Sequence, residues 1–99
     1  MRRAARVDAN QSEIIKAFRE VGCSVFPLHT VGRGFPDLAV GCRGLNLLVE
    51  IKNGSKCPSA QKLTPDEARF FQDWRGQVAT VACSQDAIEM VQSVFSNCP

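Results

Sequence analysis

Residues 32–52 read "GRGFPDLAVGCRGLNLLVEIK", and the reading of this stretch decides the fold. Two short apolar runs, "DLAVG" (37–41) and "LNLLVEIK" (45–52), flank "CRG", a turn signal, so the pair predicts a β-hairpin. Each run carries charge where a strand normally carries core. Asp37 stands between a proline and small apolar residues, and Glu50 and Lys52 interrupt the second run. Burying an unpaired carboxylate is costly, so Asp37 and Glu50 need a cationic partner, a proton or a metal.

Outward from the hairpin, the pattern alternates between helix and strand. "DANQSEIIKAFREVG" (8–22) places Ile14, Ala17, Phe18 and Val21 at helical spacing, with Asn10 or Ser12 as cap and Gly22 as terminator. "CSVFPLHTV" (23–31) is rich in β-formers, and Pro27 predicts a sheet edge or an irregular strand. "VGRGFP" (31–36) reads as a tight exposed loop, and "NGSKCPSAQK" (53–62) as a polar one. "LTPDEARFFQDWRG" (63–76) opens with a capping box, Thr64 to Glu67, with Pro65 at the first helical position, and sets Ala68, Phe71 and Trp74 near one face. "QVATVAC" (77–83) is a fourth strand, and "SQDAIEMVQSVF" (84–95) a closing helix with Ile88, Val91 and Phe95 on one side. The expected fold is α/β, in the order α-β-β-β-α-β-α. The strand at 45–52 and the strand at 77–83, joined by a helical crossover, should run parallel, giving a central mixed sheet flanked by helices.

Composition bounds the function classes. Ninety-nine residues, 44% apolar and 22% charged, fit one domain over residues 1–99 with an ordinary soluble composition. No apolar run approaches the ~20 residues that span a bilayer, and no signal-peptide pattern follows Met1, so no membrane role is expected. Five scattered cysteines, Cys23, Cys42, Cys57, Cys83 and Cys98, form no C-x-x-C pair. They read as reduced thiols of a cytoplasmic protein rather than a disulfide or zinc framework. Net charge is only +2, but Arg2, Arg3 and Arg6 cluster at the N-terminus, and Arg33, Arg43, Lys56 and Lys62 fall in expected loops. These four are candidate contacts to a polyanion such as nucleic acid; the competing reading is solubilising charge. Trp74 and the adjacent Phe70 and Phe71 are candidates for base stacking or a dimer face, although aromatics at helical spacing are more often core, Phe71 above all.

Alternation along a strand puts Glu50 and Lys52 on one face. If the neighbouring strand brings Asp37 to that face, two carboxylates and an ammonium converge. Two acids a few Å apart force one to take a proton unless a divalent cation holds both. Such an oxygen site suits Mg²⁺ or Mn²⁺ with substrate phosphate, with Lys52 stabilising charge developing on phosphorus. Glu13, beside the apolar stripe of the first helix, is a further candidate; its alternative role is to favour the helix dipole.

The segments "GRGFPDLAVG", "LLVEIKNG", "LTPDEARFFQDW" and "QVATVAC" together resemble the VRR-NUC family of the PD-(D/E)xK nucleases, in its small stand-alone form found in phages and bacteria. The resemblance runs from about Glu13 to the final helix. It implies a restriction-endonuclease-like core and a metal-dependent endodeoxyribonuclease in which Asp37, Glu50 and the main-chain carbonyl of Ile51 hold Mg²⁺ or Mn²⁺. It implies that Lys52 is the catalytic lysine and that Glu13 matches the first-helix glutamate. No organic cofactor is implied. Where many relatives have glutamine in a "TPDQ" helix start, this chain has Glu67, which leaves open whether position 67 touches the site. Stand-alone members resemble Holliday-junction resolvases and act as homodimers on branched DNA in the cytoplasm of bacterial or phage-infected cells. The rival expectations are a non-catalytic DNA-binding module on a nuclease fold and a sequence-preferring duplex endonuclease.

Overall fold

A computed structural model describes residues 9–28, 30–52 and 63–95. The elements run α1 (Ala9–Glu20), β1 (Ser24–Pro27), β2 (Leu38–Cys42), β3 (Leu45–Ile51), α2 (Pro65–Asp73), β4 (Val78–Val81) and α3 (Ser84–Met90), which continues through a wide turn, Val91–Phe95. Lys56 and Lys62, the N-terminal arginines, Cys57 and Cys98 lie outside the described residues.

The four strands form one sheet in the order β1-β2-β3-β4. The first two pairings are antiparallel and β3–β4 is parallel, so the fold is the mixed α/β sheet expected from the sequence. Pro27 ends the edge strand β1, where its missing N–H costs no internal ladder bond. The β2–β3 hairpin closes through Arg43 and Gly44, both at positive φ (54° and 83°), the backbone of a type I′ turn that matches the twist of the paired strands.

The sheet has two unlike faces. Leu38, Val40 and Cys42 of β2, Leu47, Val49 and Ile51 of β3, and Val81 of β4 are buried on one face, against Ile14, Ala17 and Phe18 of α1 and Ala87 and Val91 of α3 and its extension. Period-2 alternation sends the intervening residues to the other face: Asp37, Ala39 and Gly41 on β2's side, Asn46, Leu48 and Glu50 on β3. Cys23 and Cys42, buried as neighbours beneath the end of α1, are free thiols, as is Cys83. Burial, with the Cys42 thiol beside it, pushes the Cys23 thiol up to about 12.

Two helices depart from the sequence reading. Asn10 and Ser12 are not caps but lie inside α1, which begins at Ala9. The Asn10 amide donates instead to the carbonyls of Lys52 and Ala82, at 3.2 and 3.1 Å, tying the helix to the ends of β3 and β4. In α2 no residue is buried, and Ala68 is exposed, so the face with Ala68, Phe71 and Trp74 is not a core face. α2 docks at the end of the sheet through Glu67 and Phe70, one turn apart, because its contacts are the 32–35 loop and Lys52 rather than the apolar core.

Candidate active site

The register Leu38↔Val49, continued by one residue, sets Asp37 opposite Glu50. Both face away from the main core, at the edge where β2 begins and β3 ends. The Ile51 N–H turns away from β4 and donates to Asp37 Oδ2 at 2.8 Å, which fixes that carboxylate against the strand. The next amide, Lys52 N–H, donates to Val81 O at 2.8 Å and holds the end of β3 to β4. Lys52 then projects from the same face as Glu50, with Nζ 3.8 Å from Glu50 Oε2 and 2.6 Å from Glu67 Oε1.

Glu67 is the residue whose part the sequence left open. Thr64 Oγ1 accepts from the Glu67 N–H at 3.2 Å while Glu67 Oε1 accepts from the Thr64 N–H at 2.9 Å, a complete capping box. The same Oε1 receives the Lys52 ammonium. One oxygen therefore caps α2 and ties it to β3. The sequence signal was the capping box itself, which locates the helix start but says nothing of which strand end lies beneath it.

The electrostatics of the group are unbalanced. Glu50 is 3% exposed, and its Oε1 is buried with no hydrogen-bond partner among the described residues. Burial, then the neighbouring carboxyls of Glu67 and Asp37, raises its pKa to about 9, only partly offset by Lys52. Asp37 is also raised, by burial foremost, with the Ile51 N–H and Glu50 acting the other way. Burial raises Glu67 as well, but the Lys52 ammonium and the Thr64 N–H outweigh it and leave Glu67 below the usual carboxylate range. One lysine thus faces three carboxyls. With nothing added, the buried one of the three keeps its proton at neutral pH.

Asp37, Glu50, Ile51 and Lys52 are brought together; Glu13 is not brought into this group. It is exposed on the α1 surface, lining a shallow groove with Lys16, Glu20, Ser84 and Ile88, and its carbonyl accepts from Ser84 Oγ at 3.4 Å. With Ile14, Ala17 and Phe18 turned into the core, position 13 faces α3, and α1 sends Asn10 to the strand ends. Arg33 lies in the loop leading to Asp37, at a cleft shared with α2. Arg43 sits in the hairpin turn at the opposite end of the sheet, six residues and about 20 Å of strand from Asp37. Among the described residues no group of three or more His, Cys, Asp or Glu is arranged to hold a metal ion. The pair Asp37 and Glu50 falls within what Mg²⁺ requires, since that ion takes one or two protein carboxylates and keeps several waters. The orphaned Glu50 Oε1 is a buried acceptor that such an ion would satisfy.

A mixed four-stranded sheet flanked by helices, with acidic groups and a lysine at adjoining strand ends, defines a restriction-endonuclease-like fold. No family model and no curated protein matches the chain. A solved structure described as a VRR_NUC domain is similar over 84% of this chain and 90% of its own, with TM-score 0.63 and 26% identity. The chain has the VRR-NUC fold and is a nuclease-fold domain. No described helix is long and apolar enough to cross a membrane.

Proposed function

We propose that the protein is a Mg²⁺- or Mn²⁺-dependent endodeoxyribonuclease that hydrolyses phosphodiester bonds in branched DNA, in the manner of a Holliday-junction resolvase. The observation that carries this reading is Glu50: a buried carboxyl with an oxygen that has no partner among the described residues, facing Asp37 and flanked by Lys52. A merely structural ion pair does not need a second, half-buried acid beside it.

In this reading Asp37, Glu50 and the Ile51 carbonyl hold the ion. Within an extended strand a residue's N–H and C=O point to the same side, so that carbonyl is directed to the side on which the Ile51 N–H meets Asp37. When bound, the ion would polarise the scissile phosphate and acidify water. Lys52 stabilises the negative charge that grows on the phosphate and helps orient the attacking water. Glu67 acts on Lys52, restraining a flexible side chain through a 2.6 Å contact. Asn10 restrains the backbone at the same point by its bond to the Lys52 carbonyl.

Arg33 would contact DNA phosphates near the site, giving salt-dependent binding without sequence readout. Cutting two strands of a junction symmetrically requires two sites, which a two-fold homodimer supplies. Phe26, 68% exposed on the edge strand β1, offers apolar surface for that association. Reduced thiols and a DNA substrate favour the cytoplasm of a bacterial or phage-infected cell.

The test is cleavage of labelled four-way junction, flap, splayed and linear duplex DNA by wild type and Asp37→Asn, with Mg²⁺, Mn²⁺ or EDTA. Junction cleavage that needs both the ion and Asp37 is expected. Binding without cleavage under every ion would instead make this a DNA-binding module on a nuclease fold.

A further inference from the structure

The proposed chemistry does not use the aromatic cluster beside the site. Phe70 of α2 and Trp74, the residue that caps its C-terminus, stack at 4.9 Å with rings 20° apart. Phe35 from the loop meets both edge-on, at 5.0 and 6.2 Å. These rings are not core: α2 has no buried residue and Trp74 is 42% exposed. Trp74 and Phe70 instead line an open cleft of about 250 Å³, with Arg33, Arg69, Asp66 and Asp73 around it. That is below the range of drug-sized pockets and suits one planar group.

The cleft is built and not incidental. Gly32, Arg33 and Gly34 are successively at positive φ (76°, 60° and 78°), and Arg33 holds a left-handed backbone conformation that disfavours any non-glycine residue. Gly34 lies so close to α2 that a Cβ there would be 2.6 Å from the Asp66 carbonyl carbon. This packing sets Phe35 against Phe70. It also places the cleft beside the acidic group, since Phe35 is two residues before Asp37 and Phe70 is three after Glu67. Two residues of extended chain span at most about 7 Å, and three of helix about 4.5 Å, with Trp74 a further turn on at about 10 Å, so the cleft begins one to two base steps of about 3.4 Å from the site and its indole lies about three steps away.

We infer that this cleft binds one unpaired nucleobase a few nucleotides from the scissile phosphate, stacked on Trp74, with Arg33 and Arg69 at the phosphates beside that base. Aromatic rings bordered by arginines fit a base with its backbone charges, and Asp66 and Asp73 offer acceptors to N–H groups on the base edge. Paired bases in an intact duplex cannot present a face to the indole. The cleft therefore makes branch points and frayed ends, not continuous duplex, the preferred substrate. This rests on the DNA reading above and extends it from the chemistry to the choice of substrate.

Trp74 is the only tryptophan in the chain, so its fluorescence reports on the cleft directly. Wild type in EDTA is titrated with single-stranded, splayed and blunt duplex DNA, and with a splayed DNA lacking one base at the branch, while binding is followed separately by anisotropy. Expected is quenching by single-stranded and splayed DNA, less by the abasic form, and none by duplex. Trp74→Ala should weaken splayed-DNA binding about tenfold and leave duplex affinity and its salt dependence unchanged, with Trp74→Phe restoring most of the loss. Bound DNA without quenching overturns the inference even if Trp74→Ala does not fold. An equal loss on duplex and splayed DNA overturns it too, as does a Trp74→Ala effect confined to self-association, which would make the cluster a dimer face. Quenching without metal-dependent cleavage would remove the nuclease reading and keep the base site. Cleavage without quenching would do the reverse, and failure to bind any DNA would end both.

Discussion

The proton on Glu50 makes the metal-free protein sensitive to pH in a way that a single substitution should abolish. Glu50 has its pKa raised from 4.5 to about 9 in the fold, by burial first and by the Glu67 and Asp37 carboxyls next. A group whose folded pKa lies above its unfolded value gives a contribution fully present below the unfolded value and lost as pH rises through the folded one. Stability of the wild type in EDTA should therefore fall between about pH 5 and pH 9, because the unfolded chain releases a proton that the folded chain keeps. For one such group the slope is at most about 1.4 kcal/mol per pH unit, or about 3 kcal/mol between pH 6 and pH 8. Glu50→Gln carries no titrating proton and keeps the shape of the protonated acid. Its stability curve should be flatter, and the variant should be the more stable of the two at pH 8. Urea unfolding at several pH values in EDTA measures this through the midpoint. Adding Mg²⁺ or Mn²⁺ at pH 8 should raise the wild-type midpoint and leave Glu50→Gln unmoved, since an ion that binds only the folded state stabilises it in proportion to its occupancy. Parallel curves for the two proteins in EDTA would refute the assignment of Glu50 as the proton-holding acid.

Lys52→Ala should keep DNA affinity while cleavage falls about 10²-fold or more, as it removes charge stabilisation at the phosphate; single-turnover cleavage at saturating protein checks it. Asp37→Asn should lose Mn²⁺ binding by calorimetry, and unchanged binding would count against its ligand role. Glu67→Gln keeps an acceptor for the Thr64 N–H but removes a charge beside Glu50. It should lower the Glu50 pKa and narrow the pH range of stability loss, read from the same urea series. Gly34→Ala should cost about 2–4 kcal/mol in urea unfolding, since positive φ and a 2.6 Å approach to the Asp66 backbone both oppose it. Gly32→Ala, with similar φ but nothing within 4 Å, should cost only about 1 kcal/mol.

Residues 37–52 carried most of what could be read from the sequence, because their information is local. Period-2 alternation and the turn around "CRG" give the hairpin and put Glu50 and Lys52 on one face; that Asp37 stands opposite Glu50 depends on the register, which the folded hairpin supplies. The parallel β4 followed from the helical crossover. Glu67 was half legible: its capping role is written in Thr64 and Pro65, but its contact with Lys52 depends on where α2 lands. Asn10 misled as a cap because an asparagine before an apolar stripe is a good capping residue, and only the tertiary fold offers its amide the carbonyls of Lys52 and Ala82. The aromatic residues misled for a related reason. Helical spacing says which rings share a face, not whether that face meets core, loop or solvent.

The two faces of the sheet divide the labour between folding and the site. On one, Leu38, Val40, Val49, Ile51 and Val81 bury against α1 and α3 and fix where the backbone ends. The other could then accept Glu50, a carboxyl that destabilises the ionised metal-free fold, because its strand is already held from behind. Asp37 and Lys52 inherit the same positioning, one through the Ile51 amide and the other through the Lys52–Val81 backbone bond. α2 adds little to the core and rests instead on Lys52 and on the loop packed at Gly34. Its placement is consequently the most easily altered part of the site, and it carries both Glu67, which restrains Lys52, and the Phe70–Trp74 stack. A substitution that shifts α2, as Gly34→Ala should, is expected to disturb lysine positioning and the aromatic cleft together while leaving Asp37 and Glu50 in register.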